Sequence, residues 1–187
     1  MEYKGIPTLY KGIQFRSRLE ARWASFFDLC GWKWEYEPLE LSGWIPDFII
    51  TSKDKKKILV EVKPTDDLSW FELQKYKLAI KNTVYDVCEL LLLGNSVRDS
   101  IRDWSSGAAQ IGWLVTEYNN ELSWDSPEPC ICVYDEHDLN IGFMCAYGLY
   151  KDRVSGYYWG GHPHICDYEE ITPIWFSAGN ATQWKRR

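Results

Sequence analysis

The amino-acid sequence predicts a mixed α/β fold in which helices cover the faces of a β-sheet. Three observations carry this reading. A helix-period stretch near the N-terminus precedes three short strand-like runs. A second helical stretch follows them. It leads into a nearly pure apolar run, Cys88 to Leu93, that suits a central strand covered on both faces. The order helix, strand, strand, strand, helix, strand belongs to a sheet flanked by helices.

Residues 1–14 hold Gly5, Pro7 and Gly12 and read as an irregular lead-in. Phe15 to Cys30 reads as an amphipathic helix. Leu19, Trp23, Phe26 and Phe27 recur at helical spacing, with Arg16, Arg18 and Arg22 interleaved. Ser17 suits an N-cap, Glu20 three residues on would complete a capping box, and Gly31 fits a C-terminal stop. Trp32 to Glu37 alternates aromatic and charged residues, as a strand with one apolar face does. Trp44 to Thr51 is a second strand, interrupted early by Pro46, and Ile58 to Lys63 is a third, closed by Pro64. Ser69 to Asn82 reads as a helix capped by Ser69. Ile111 to Tyr118 and Ile131 to Tyr134 are further strand candidates. Beyond Pro127 the signal degrades. The expected division is a core over residues 1–118 and, over 119–187, an aromatic-rich elaboration of the same domain. That elaboration reads as loops, short strands and a final helical segment near Ala178–Arg187.

The chain has 187 residues, which suits one domain. Hydrophobic residues at 45% can build a sizeable core, and 26% charged residues do not describe a disordered chain. The eleven Trp suit core packing first, with flat faces for partners or bases as their second use. A net charge of −6 argues against a general nucleic-acid coat protein. The charge is uneven, however. Residues 1–63 carry 11 Lys and Arg against 9 Asp and Glu, so the acidic excess lies in the remainder. No apolar run approaches the ~20 residues of a membrane span, and no signal-peptide pattern is present. The expectation is a soluble cytoplasmic protein whose six Cys are reduced thiols, buried residues or metal ligands rather than disulfides.

Three features point to chemistry when read together: Pro46-Asp47-Phe48 in the second strand, Glu61-Val62-Lys63 in the third, and Glu20 on the first helix. Residues two apart in a strand share a face, so Glu61 and Lys63 project together while Val60 and Val62 face the other side. A hairpin between the two strands would bring Asp47 and Glu61 close. Converging carboxylates form a hard oxygen site suited to Mg²⁺, which keeps several waters and binds phosphate oxygens. Lys63 can position or help deprotonate a water and stabilise phosphate charge. Glu20 would add a carboxylate, directly or through water. Taken singly, a Glu-x-Lys is usually a solvated strand face, an Asp after Pro a turn residue, and Glu20 a capping acid; the conjunction is far more specific.

The stretch FRSRLEARWASFFDLCGWKWEYEPLEL, followed by WIPDFII and ILVEVKPTD, resembles the PD-(D/E)XK nucleases, the restriction-endonuclease-like superfamily, in a bacterial and phage group. The resemblance covers Phe15 through Pro64 and extends more weakly to LLLLGN at 90–95. It implies a mixed sheet flanked by helices, a Mg²⁺ or Mn²⁺ centre, and a bacterial or phage-infected cell as setting. Its residue roles are Asp47 and Glu61 as metal ligands, Lys63 as catalytic lysine and Glu20 as the helix acid. It implies a phosphodiester-cleaving nuclease without identifying the substrate; DNA is our expectation.

Arg16, Arg18 and Arg22, with Gln74 on the later helix, are candidate nucleic-acid contacts. The bland reading of the arginines is a solvated helix face. Relatives of this kind carry Cys-x-x-Cys knuckles near the C-terminus, and none occurs here. Cys130, Cys132, Cys145, His162, His164 and Cys166 match structural zinc spacing poorly, so structural Zn²⁺ is not expected. No Walker-type phosphate loop is present. Three functional classes stay open: a nuclease acting alone or as a homodimer, a nuclease acting with a protein partner, and a catalytically silent module that binds nucleic acid or protein as an inhibitor or assembly factor.

Overall fold

The structure, a computed structural model, describes residues 5–81, 87–100, 107–118, 121–136, 139–147, 150–159 and 163–183. A small hairpin opens the described chain, β1 (Thr8–Tyr10) against β2 (Ile13–Phe15). Helix α1 (Arg18–Leu29) follows, capped by Ser17, whose hydroxyl accepts from the Glu20 N–H at 3.1 Å. From Thr8 the expected irregular lead-in is a hairpin, and Phe15 ends a strand rather than starting the helix; residues 1–4 lie outside the described residues. Lys11 (φ 47°) and Gly12 (φ 83°) make the two-residue turn that matches strand twist in a tight hairpin.

The main sheet holds β3 (Trp34–Tyr36), β4 (Phe48–Thr51), β5 (Lys57–Val62), β6 (Val87–Asp99), β7 (Ala109–Val115), β10 (Glu128–Asp135), β11 (Asn140–Cys145) and β12 (His164–Ile165). A separate short pair, β8 (Glu117–Tyr118) and β9 (Glu121–Leu122), lies between β7 and β10 in the chain. Strand order is β11-β10-β7-β6-β5-β4-β3, with β12 also on β10. β5 and β6 are parallel; the other pairings in the sheet are antiparallel. That parallel pair is joined through helix α2 (Leu73–Lys81), preceded by the 3₁₀ turn Leu68–Trp70. The expected cap at Ser69 is instead inside this turn, whose N-cap is Asp67.

Alternation along the strands divides the core. Phe48, Ile50, Ile58, Val60, Val62, Leu91 and Leu93 face α1 and helix α3 (Tyr168–Ala181). Ile49, Leu59, Leu90 and Leu92 face α2 through Phe71, Tyr76 and Ala79. Leu90 to Leu93 are all 0% exposed, as an apolar run between two layers requires.

The C-terminal third departs from expectation. Instead of loops and short strands, it extends the same sheet with the eight-residue β10 and the six-residue β11. The last helix begins at Tyr168 and closes on α1; residues 184–187 of the expected helical segment lie outside the described residues. Pro173 and Gly179 inside α3 mask its helical period. Gly179 has a packing reason: a Cβ there would come within 3.0 Å of the Arg22 Nε.

Candidate active site

β4 and β5 deliver the acids. The antiparallel register pairs Phe48 with Val60, which makes Asp47 and Glu61 the next opposing pair, on the α2 side of the sheet. Pro46 breaks the preceding chain, so β4 starts at Phe48 and Asp47 stands at its mouth. Lys63 follows Glu61 on the same face, its Nζ 2.8 Å from Glu61 Oε1. Val60 and Val62 are buried on the opposite side, as alternation requires. Glu20 comes from the first turn of α1. All four side chains line one cavity of about 690 Å³, together with Arg16, Ser17, Arg18, Trp44 and Lys75 among others.

Each acid is held by the protein. Asp47 Oδ2 accepts from the Val62 backbone N–H at 2.7 Å, and Oδ1 accepts from Arg16 Nη2 at 2.6 Å. Glu61 Oε2 accepts from Trp44 Nε1 at 2.9 Å, and Oε1 accepts from the Tyr76 hydroxyl at 3.2 Å as well as from Lys63. Glu20 Oε2 accepts from the Tyr36 hydroxyl at 2.6 Å and Oε1 from the Ser17 hydroxyl at 2.7 Å. The Glu20 side chain thus bonds to the Ser17 and Tyr36 hydroxyls, which differs from a reciprocal capping box closed on the Ser17 backbone N–H.

Burial dominates the electrostatics of Asp47. Burial, reinforced by the charges of Glu61 and Glu20, holds the Asp47 carboxyl well above the usual carboxylate range; the Val62 N–H and Arg16 oppose this without reversing it. Burial lowers the Lys63 ammonium's pKa, but the charge and hydrogen bond of Glu61 outweigh it and raise the group overall. Lys63 is therefore protonated at neutral pH. Burial and Glu61 together push the Tyr76 hydroxyl up, which keeps it a donor.

The donor set fits a hard cation of the Mg²⁺ type. Two buried carboxylates lining a polar cavity suit an ion that keeps part of its water. Among the described residues no three His, Cys, Asp or Glu side chains form a ready-made metal cage, so water and substrate oxygens would have to complete such a shell.

The candidate nucleic-acid contacts separate. Arg16 and Arg18 line the cavity. Arg22 does not; its guanidinium lies 3.8 Å over the Trp175 ring and donates to the Trp175 carbonyl at 3.2 and 3.0 Å, tying α1 to α3. Gln74 lines a different, shallow pocket beside α2, while the neighbouring Lys75 reaches the main cavity. Sequence reasoning missed Trp44, Tyr76, Tyr36 and Glu37. For Trp44 the hint was proximity to the motif, three residues before Asp47; Tyr36 ends β3, the neighbour of β4.

Cys30, Cys130, Cys132, Cys145 and Cys166 are buried thiols that form no disulfide. Burial pushes Cys145 up to about 11 and Cys166 up to about 12, so both are neutral SH groups. His164 is exposed near Glu136, while His162 and the Cys88 side chain lie outside the described residues. Among the described residues, no helix is long and apolar enough to cross a membrane. No protein-family model, curated protein or solved structure matches the chain.

Proposed function

We propose that this chain is a divalent-metal-dependent nuclease of the restriction-endonuclease-like type that hydrolyses phosphodiester bonds in DNA. The observation that carries the reading is one cavity lined by Asp47, Glu61, Lys63 and Glu20, in which all three acids are buried. Asp47 and Glu61 would hold the ion, and Glu20 would add a contact directly or through water. When bound, Mg²⁺ or Mn²⁺ supplies Lewis-acid neutralisation of phosphate charge.

The chain's own groups account for the rest. Lys63, held by Glu61 at 2.8 Å, would donate to a phosphate oxygen or position the attacking water. Arg16 and Arg18 at the cavity wall suit the phosphates flanking the scissile one. Trp44 and Tyr76 fix both oxygens of Glu61, which limits the geometries the acid must search.

A second reading keeps the fold as a binding module without cleavage. One observation favours it: both oxygens of Asp47 and of Glu61 already accept from protein donors. Incubation of single- and double-stranded DNA with Mg²⁺ and Mn²⁺ separates the two. Cleavage that Asp47→Ala abolishes is the expected result. No cleavage by the wild type, or equal cleavage by the variant, defeats the nuclease reading.

A further inference from the structure

Arg16 occupies the outer oxygen of Asp47. One oxygen of Asp47 is turned inward onto the Val62 N–H at 2.7 Å, and the other carries Arg16 Nη2 at 2.6 Å. The Asp47 side chain is 6% exposed and that of Arg16 58%, so the guanidinium lies on the solvent side of a buried acid. Two positive centres cannot share that outer oxygen at close range without mutual repulsion.

Arg16 also has a second anchor. Its Nε lies 2.7 Å from Glu37 Oε1. Glu37 is itself fixed beside the site: its N–H donates to the Asp47 carbonyl at 3.0 Å, and its backbone adopts the left-handed φ of 42°. The Arg16 backbone is held separately, its N–H donating to the Tyr36 hydroxyl at 3.1 Å. The guanidinium can therefore release Asp47 while its chain position and its contact with Glu37 persist.

We infer that Arg16 is an exchangeable counter-ion, which neutralises Asp47 until a divalent cation takes its place and then turns to a substrate phosphate. This deepens the nuclease reading and rests on it. Binding of cation and of phosphate are then coupled: each ion that displaces Arg16 frees a guanidinium for the substrate, and the coupling is reciprocal. Glu37 is the hinge contact that keeps the freed group at the cavity wall.

The test is Mn²⁺ binding to the full chain, read by the electron paramagnetic resonance signal of free Mn²⁺. Arg16→Ala and Arg16→Gln should bind Mn²⁺ at least about fivefold tighter than wild type, while Arg16→Lys, which keeps the charge, stays within about twofold of it. A labelled phosphorothioate DNA duplex, followed by fluorescence anisotropy, should bind wild type more tightly with Mn²⁺ than with EDTA. Arg16→Ala should lose that gain. Equal or weaker Mn²⁺ affinity in both neutral variants overturns the exchange and leaves the nuclease reading intact. Absence of Mn²⁺ binding to wild type, or binding that Asp47→Ala leaves unchanged, overturns both.

Discussion

Removing the hydroxyl of Tyr76 probes how firmly the site is built into the core. Tyr76 is 0% exposed, and its ring packs 4.6 Å from that of Trp44. Tyr76→Phe keeps the ring and deletes the oxygen that donates to Glu61 Oε1 at 3.2 Å. A hydrogen bond to a charged acceptor contributes about 1.5–3 kcal/mol. The long distance, and Lys63 on the same oxygen at 2.8 Å, place this one at the lower end, about 1.5 kcal/mol. For a chain of this size that corresponds to a fall in Tm of roughly 3–6 °C. Thermal melts followed by circular dichroism at neutral pH measure it directly. A double-mutant cycle isolates the pair: in a Glu61→Ala background, the Tyr76→Phe step should cost less than about 0.5 kcal/mol, because the acceptor is gone. An unchanged or higher Tm for Tyr76→Phe alone, or the same loss in both backgrounds, would refute the reasoning that Tyr76 anchors Glu61.

Two other substitutions test the electrostatics. The Asp47 carboxyl is raised in the folded protein by burial and by Glu61 and Glu20, so folding loses stability as pH climbs from about 4, the unfolded value, through the folded one. Asp47→Asn should therefore melt higher than wild type at pH 7 and lose that advantage near pH 4, while abolishing cleavage; a lower Tm at pH 7 would contradict it. Arg153 and Glu89 form a buried bidentate pair, Nε to Oε2 and Nη2 to Oε1, both at 2.8 Å. Arg153→Ala leaves Glu89 buried without that partner and should cost about 3–5 kcal/mol in urea unfolding, far more than a surface ion pair would.

Much of the site was legible because it is written in local periodicity. The period of two in β5 puts Glu61 and Lys63 on one face, and the Ser17 cap places Glu20 in the first turn of α1. The partners of those acids were not legible. Tyr76 lies 15 residues from Glu61 and Trp44 lies 17, and both occupy positions that read as ordinary core aromatics. Arg22 shows the opposite failure. It shares the arginine-rich stretch with Arg16 and Arg18, but Trp175, 153 residues further on, captures it, and no neighbouring residue announces that. The first hairpin escaped notice because its turn is Lys11-Gly12 rather than the Asn-Gly or Asp-Gly that signals such turns most strongly. In the C-terminal third, Pro129 inside β10 and Pro173 inside α3 broke patterns that pairing and packing restore.

Because Asp47 is bolted to a main-chain amide, its position is inherited from the ladder and not from any side chain at residue 62. A proline at residue 62 would remove the donor outright. The same amide proton is a built-in reporter: its exchange with deuterium slows only while the acid stays docked. Following that single proton would register every opening of this corner, with or without a bound ligand.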